Sequence, residues 1–288
     1  MNRWREAFRD EVTGIQRTTD DLLWKYASFR MAVRIVHLAN ESRRENPAIN
    51  QVLFDLMADG YWSNLLLAVR RLLDKGHLKG KDGVYSLRAV LSDIRACRGK
   101  LTRSVYVEVV RGAIYDLERL QHEHWERLRA AAGKPLWGNQ ALTLSEYAHS
   151  DFDKLSGVDP ERRSADDLIR DDIFEKLEAR LSRLDVIGDH VSSHVAHAGN
   201  AESREGKSLD LFDLRDAREA LKELKALSDA IGLWFLGEGG AGLAVYMGDQ
   251  FEALDQPLVS SSDLTDLKEQ WRLVDQDISG WTMKIEDL

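Results

Sequence analysis

The segment Lys176–Asn200 reads KLEARLSRLDVIGDHVSSHVAHAGN, and its spacing decides the fold. If each residue advances about 100° around a helix axis, then with His190 as origin Leu177, Leu181, Leu184, Val191, Val195 and Ala198 project between about 80° and 180°. That is one continuous apolar stripe, and it predicts an amphipathic helix over 166–198 that stops at the left-handed cap offered by Gly199-Asn200. On the same scale His194 falls near 40°, His197 near −20°, Arg183 near 20° and Lys176 near 40°. Three of the eight histidines therefore line one face beside the buried stripe. A row of groups titrating near neutrality next to an apolar seam suits proton transfer, metal binding or a regulated interface.

Helical periodicity extends outward in both directions. Residues 3–17 and 20–44 fit helices, the second with a candidate N-cap at Thr19 or Asp20. A helix over 47–74, with Pro47 in its first turn, carries apolar side chains around much of its circumference, from Val52 to Leu73, which predicts the central buried helix. Ser86 is placed to cap a helix running to about Arg103, and another long helix is expected over 104–132. Gly133, Pro135, Gly138, Gly157 and Pro160 break any period, so 133–165 is expected to be a connector. Beyond the histidine helix, Leu214, Ala217, Leu221, Leu224, Leu227, Ile231 and Trp234 predict a helix over 209–236, and a short one is expected at 263–275. No alternating pattern is long enough for a sheet. The expected fold is an all-α bundle of long antiparallel helices, with residues 1–236 as the bundle and 237–288 as a C-terminal extension packed on it.

A chain of 288 residues with 43% hydrophobic content can bury a large core. Its single cysteine, Cys97, excludes an intrachain disulfide and a multi-thiolate metal site, and a cytoplasmic protein is expected. The N-terminus is amphipathic rather than apolar, and no stretch reads as the ~20 apolar residues of a membrane span. Net charge is −9, but its distribution is uneven. Residues 1–135 hold 24 Lys+Arg against 17 Asp+Glu, while residues 136–288 hold 16 against 32. An acidic half can coexist with a basic groove.

Several motifs meet their physical requirements only in part. Gly237-Glu238-Gly239-Gly240-Ala241-Gly242 matches GxGxxG, yet it follows a helix where the dinucleotide fingerprint needs a strand, so a helix stop is the expected role. The loop Gly76–Lys81 has three residues between its glycines instead of four, and Asp82 stands where a phosphate loop needs Ser or Thr. Arg70, Arg71, Lys75 and Lys79 form a basic run suited to RNA phosphates, with Arg95, Arg98, Lys100 and Arg103 farther on. His190, His194 and His197 offer three imidazoles to a divalent metal, but ligands from a single helix rarely complete a site and no Glu stands among them as base. No cofactor is expected.

At Val195-Ala196-His197 the chain resembles the HEPN superfamily, whose signature is similar to Arg-x(4–6)-His ending in Ala-His on the last long helix of a bundle. Residues 61–74, YWSNLLLAVRRLLD, and Tyr85–Leu91 resemble its abortive-infection AbiU-like branch, as does the tail near Trp271 and Trp281. The resemblance implies an all-α HEPN-type bundle and a metal-independent ribonuclease of a toxin–antitoxin or phage-defence system. It implies His197 as the acid-base group and a cation holding the phosphate. The signature arginine would fall at 190–192, where this chain has His190, Val191 and Ser192. His190, His194 and Arg183, on the stripe of His197, are the candidates to assist it. Implied partners are RNA, a second copy paired with the 166–198 helices near the two-fold axis, and a protein partner such as an antitoxin. A non-catalytic HEPN module that binds a protein or nucleotide is the alternative, and a metal-dependent helical enzyme a further one.

Overall fold

A computed structural model describes residues 1–42, 50–131, 138–191, 212–243 and 263–280, with 205, 249, 252 and 254 individually. The described secondary structure is helical, and its one extended pairing is an isolated bridge between Thr102 and Leu168. The chain separates into two compact units, Met1–Ala244 and Val245–Leu288. The first holds α1 (Asn2–Arg9), α2 (Ile15–Ser42), α3 (Gln51–Leu73), α4 (Leu87–Ala96), α5 (Arg103–Val105), α6 (Leu117–Ala130), α7 (Gln140–Ser156), α8 (Asp171–Ser182), α9 (Asp185–His190) and α10 (Leu214–Phe235). The second contains α11 (Asp263–Gly280).

The all-α bundle is as the sequence predicts. Its core joins Leu22 and Phe29 of α2, Leu65, Val69 and Leu72 of α3, Val90 and Ile94 of α4, Phe174 and Leu181 of α8, and Leu224, Ile231 and Phe235 of α10. α10 packs on α2, α4 and α8, and α3 packs on α2, α4 and α9.

Several predicted boundaries move, each for a local reason. The second helix begins at Ile15 rather than at Thr19 or Asp20, because the Asp10 carboxylate accepts the N–H groups of Val12 and Thr13 and ends the first turn of chain earlier. Thr19 then sits inside the helix, its hydroxyl donating to the Ile15 carbonyl. α3 begins after Asn50, whose side chain accepts from the Leu53 N–H; Pro47 lies outside the described residues. The helix expected over 104–132 is interrupted. A π turn at Tyr106–Val110 is followed by Gly112 at φ 62°, a left-handed residue, and α6 restarts at its own N-cap, Asp116.

The connector expected over 133–165 contains α7, which buries Leu142, Ala148, Phe152 and Leu155. Gly138 and Gly157 punctuate it from outside rather than breaking it. Asn139 caps its start by accepting from the Leu142 N–H, and Gly157 ends it at φ 70°. The helix expected over 166–198 starts at Asp171, since residues 165–168 are bonded to 102–104, with Arg103 N–H donating to the Asp167 carbonyl and Ser104 N–H to that of Ala165. It also breaks at Arg183–Leu184, where the bonds tighten to the i−3 type before α9 begins.

α3 is not buried throughout. Its C-terminal half is core, but Val52, Leu53, Leu56 and Met57 are exposed. Among the described residues α3 is also long and apolar enough to cross a membrane by length and composition, which corrects the reading that no stretch approaches that requirement.

The GxGxxG segment closes α10. Gly237, Gly239 and Gly240 adopt positive φ, the Asp229 carboxylate accepts the N–H groups of Gly240 and Ala241, and Asp20 accepts that of Gly242. The Gly240, Ala241 and Gly242 amides are thus held by the protein's own carboxylates rather than offered to a pyrophosphate.

α7 carries a buried histidine. His149 Nε2 lies 2.9 Å from the Tyr115 carbonyl, so Nε2 is the protonated nitrogen, while buried Nδ1 has no hydrogen-bond partner among the described residues. Burial pushes its pKa below the usual histidine value, with the Arg163 and Arg103 charges acting in the same direction. A depressed histidine pKa means that the unfolded chain takes up a proton near pH 6.5 that the folded chain refuses, so stability falls as pH drops through that range. The melting temperature is expected to fall between pH 7.5 and pH 5.5. His149→Gln, which keeps a donor to Tyr115, should flatten that slope; an identical slope in the variant would assign the titration elsewhere.

Candidate functional site

The candidate site forms where α3 ends, α4 begins and α9 lies against α3. Ser86 fixes the first two relative to each other, since its hydroxyl donates to the Asp74 carbonyl beyond α3 and accepts the Ala89 N–H at the start of α4. That orientation turns Arg88 inward. Arg88 is buried, with Nη1 2.9 Å from Asp185 Oδ1 and Nε 3.0 Å from Glu178 Oε1. Among the described residues Nε and Nη2 are buried without a well-directed hydrogen bond, so the Glu178 contact is electrostatic rather than directional. Lys75 closes on Asp185 from the other side at 3.1 Å.

Asp185 is the first residue of α9, so two cations grip the start of the helix that leads to His190. Ile187 and Val191 are buried, and His190 is half-buried at the end of α9. Arg88, Glu178 and Asp185 were not singled out by sequence reasoning. Each is one charged residue in an ordinary amphipathic pattern, and only the packing of α4 on α8 and of α9 on α3 makes them a cluster.

The structure distributes the sequence candidates unevenly. Arg70 is half-buried near the end of α3, and Lys75 is at the Asp185 clamp. Arg71 is turned toward α2, its Nη2 donating to the Thr13 carbonyl at 2.8 Å. Lys79 pairs with Asp93 at 3.6 Å, a carboxylate that also accepts from Arg3 at 2.7 Å and from the Trp4 indole at 2.6 Å. Burial would raise the Asp93 pKa, but the Trp4 and Arg3 hydrogen bonds outweigh it and hold the carboxyl below its usual range. The basic run is therefore divided among several acceptors instead of forming one strip.

Arg183 is exposed at the turn between α8 and α9. Because that turn interrupts the helix, the angular scale that aligned Arg183 and Lys176 with His190 does not carry across it. His194 and His197 lie outside the described residues, so the three-imidazole stripe and its metal-binding alternative extend beyond the described part of the site. Among the described residues no group of three His, Cys, Asp or Glu side chains is arranged to hold a metal ion.

Three of the more distant basic residues are committed to partners within the chain. Arg95 pairs with Asp171 at 2.6 Å, Arg98 donates to the Ile169 carbonyl, and Arg103 is fully buried between Asp153 and Asp167. Cations from the first half of the chain thus meet carboxylates from the second, and the opposite charges of the two halves reflect pairing across the bundle.

No curated protein and no solved structure matches this chain. The HEPN family AbiU2 matches residues 2–227, which takes in α1–α9, the whole clamp around Asp185, all three histidines and most of α10. A match over that span places the chain in the AbiU2 family of HEPN proteins.

Proposed function

We propose that this protein is a defence-type HEPN ribonuclease that cleaves RNA without a metal ion and acts as a pair of two copies. The observation that carries the reading is the clamp of Lys75 and Arg88 on Asp185, because it ties the helix leading to the histidine segment to the basic end of α3. His197 is the acid-base group in this reading. It takes the proton of a ribose 2′-hydroxyl as that oxygen bonds to phosphorus, or gives a proton to the leaving oxygen as its bond breaks. His190, His194 and Arg183 are the cationic candidates that offset charge on the phosphate, and Arg70, Arg71, Lys75 and Lys79 the candidate RNA contacts. A toxin-like role with a protein antitoxin belongs to the same reading.

A second reading is supported by the commitment of Arg71, Lys75 and Lys79 to acceptors within the chain, and by the absence of arginine at 190–192. On it the protein is a non-catalytic HEPN module that binds a protein partner or a nucleotide.

Cleavage of labelled RNAs of varied sequence in excess EDTA separates the two. The ribonuclease reading expects turnover that persists in EDTA, a loss of ~100-fold or more in His197→Ala, and smaller losses in His190→Ala and Arg183→Ala. Unchanged cleavage in His197→Ala would put the activity at another site. Activity abolished by EDTA and restored by zinc would favour the three-histidine metal site, and an inactive wild type the binding module.

A further inference from the structure

Between α2, α3 and the start of α10 lies an open cavity of about 510 Å³, inside the ~300–1,000 Å³ range of ligand pockets. Phe29 of α2, Phe54 and Trp62 of α3, and Phe212 just ahead of α10 supply its rings, and Asp213 and Arg215 stand at the α10 end. Trp62 meets Phe212 edge to face, with ring centres 5.8 Å apart and planes inclined by 71°. Two rings so arranged form a corner, and a flat ligand laid on the face of one presents its edge to the other. Phe54, Trp62 and Phe212 are half-buried, so part of each ring is open to a ligand. The polar groups narrow the class of that ligand. Asp213 caps α10 through Oδ1, which accepts the N–H groups of Arg215 and Asp216, while its Oδ2 lies 3.8 Å from the Arg215 guanidinium, too far for a hydrogen bond. The pair thus offers an acceptor and a set of donors at one end of an aromatic cavity. An aliphatic ligand would leave both unmatched, whereas a nucleobase carries donors and acceptors around a flat ring.

The two long edges of the cavity differ in charge. Lys25 of α2 contacts Asn64 of α3 at 3.5 Å and marks the sides on which the two helices meet. At about 100° per residue, Arg30 and Arg34 lie about 140° and 180° from Lys25, and Asp59 and Asp55 about 140° and 180° from Asn64. The exposed arginines therefore follow the edge of α2 remote from α3, and the exposed carboxylates follow the edge of α3 remote from α2. Arg30 lies over the Tyr26 ring at 5.8 Å. Among the described residues the ion pairs of α2 are Arg17 with Asp21 and His37 with Glu41, which leaves both arginines for an external anion. Asp55 accepts from Gln51 at 2.7 Å, and its charge, with that of Asp59, repels phosphate from the α3 edge. A polyanionic strand is thus confined to the α2 edge, its bases turned inward over the rings.

We infer that this cavity takes one unstacked base of single-stranded RNA on Trp62 and Phe212, with the adjoining phosphates along Arg30 and Arg34. The inference rests on the RNA-directed reading above and adds a contact separate from the basic end of α3, since Trp62 and Arg70 lie about 12 Å apart along the helix axis. α9 packs on α3 too, so one helix bears both the cavity and the helix that leads to the histidine segment.

Fluorescence anisotropy of the full chain with labelled, 2′-O-methylated eight-nucleotide RNAs, whose blocked 2′-oxygens prevent cleavage, tests it in excess EDTA. Binding is expected to weaken about 5- to 150-fold in Trp62→Ala, and by a similar factor when an abasic nucleotide is moved to one particular position of the strand. Trp62→Phe, which keeps a ring, should retain most of the affinity. Arg34→Gln should weaken all sequences alike and lower the slope of log affinity against log salt by about 0.7. The abasic scan needs no altered protein, so it decides the matter even where Trp62→Ala fails to fold. Strand binding that is insensitive to every abasic position and to Trp62→Ala would overturn the cavity and leave the RNA reading standing. A wild type that binds no RNA would overturn both. Adenosine or guanosine monophosphate binding as tightly as the eight-nucleotide strand would assign the cavity to free nucleotides and overturn the strand.

Discussion

Replacing Arg103 by methionine is expected to destabilise the fold by about 3–5 kcal/mol, the cost of breaking a buried ion pair from one side. Arg103 is fully buried, and its guanidinium donates to Asp167 at 2.8 Å and to Asp153 at 2.6 Å, while its Cζ lies 4.9 Å from the Phe152 ring centre. The backbone of the same residue bonds to Asp167, so one position joins α5, α7 and the extended stretch before α8. Methionine matches much of the volume but leaves two carboxylates without their shared cation.

Asp153 would retain Arg163, bonded at 2.6 and 3.1 Å, whereas Asp167 would keep the Ser164 N–H. Burial raises the Asp153 pKa, but the hydrogen bonds of Arg163 and Arg103 outweigh it and hold the carboxyl below the usual range. Its contribution is therefore present above the unfolded carboxyl pKa and lost as pH falls through the folded one. Removing Arg103 should move that loss to higher pH. Urea unfolding followed by far-ultraviolet circular dichroism checks the size. A loss below about 1 kcal/mol would mean that desolvation of the triad nearly cancels its attraction.

Truncating Phe235 to alanine is expected to cost a similar amount, about 3–5 kcal/mol, through lost burial and the cavity left behind. Phe235 of α10 stacks on Phe174 of α8 with ring centres 5.3 Å apart and planes inclined by 16°, and both are buried. The site is tightly enclosed: at Gly232, one turn earlier, a Cβ would sit 3.0 Å from Phe8 Cε1 and 2.7 Å from the Glu238 carbonyl oxygen. With neighbours held by backbone, collapse into the space is restricted, which places the cost in the upper part of the range. Phe235→Leu should lose less, and equal losses for the two variants would show that ring stacking rather than volume is at issue.

The candidate segment illustrates how far periodicity carries. The apolar stripe through Leu177, Leu181 and Leu184 was legible because each of these side chains is buried on the face the 3.6-residue period gives α8, and Val191, beyond the turn, is buried as well. The turn at Arg183–Leu184 was not legible, since both residues keep right-handed helical dihedrals and no glycine or proline marks the change. The Arg88 clamp was invisible for a different reason: Arg88 and Asp185 are separated by 97 residues, and nothing local to either distinguishes it from a solvated charge.

The sequence by itself determined the class of structure and the family. Spacing of apolar residues selects helices because burial depends on which face they share, and the residues of the HEPN-like segments carry the resemblance in their order along the chain. Glycine was ambiguous without context: Gly138 and Gly157 suggested a connector, yet α7 lies between them, since glycine ends a helix as readily as it interrupts one. Tertiary structure decided which charges are functional candidates and which are fixed. Arg95, Arg98 and Arg103 read as one basic stretch with Arg70, Arg71, Lys75 and Lys79, and packing assigned most of them to acceptors far along the chain. It also decided that α3 is half core helix and half exposed arm, because burial depends on what the rest of the chain brings against a helix, and the helix's own residues do not contain that information.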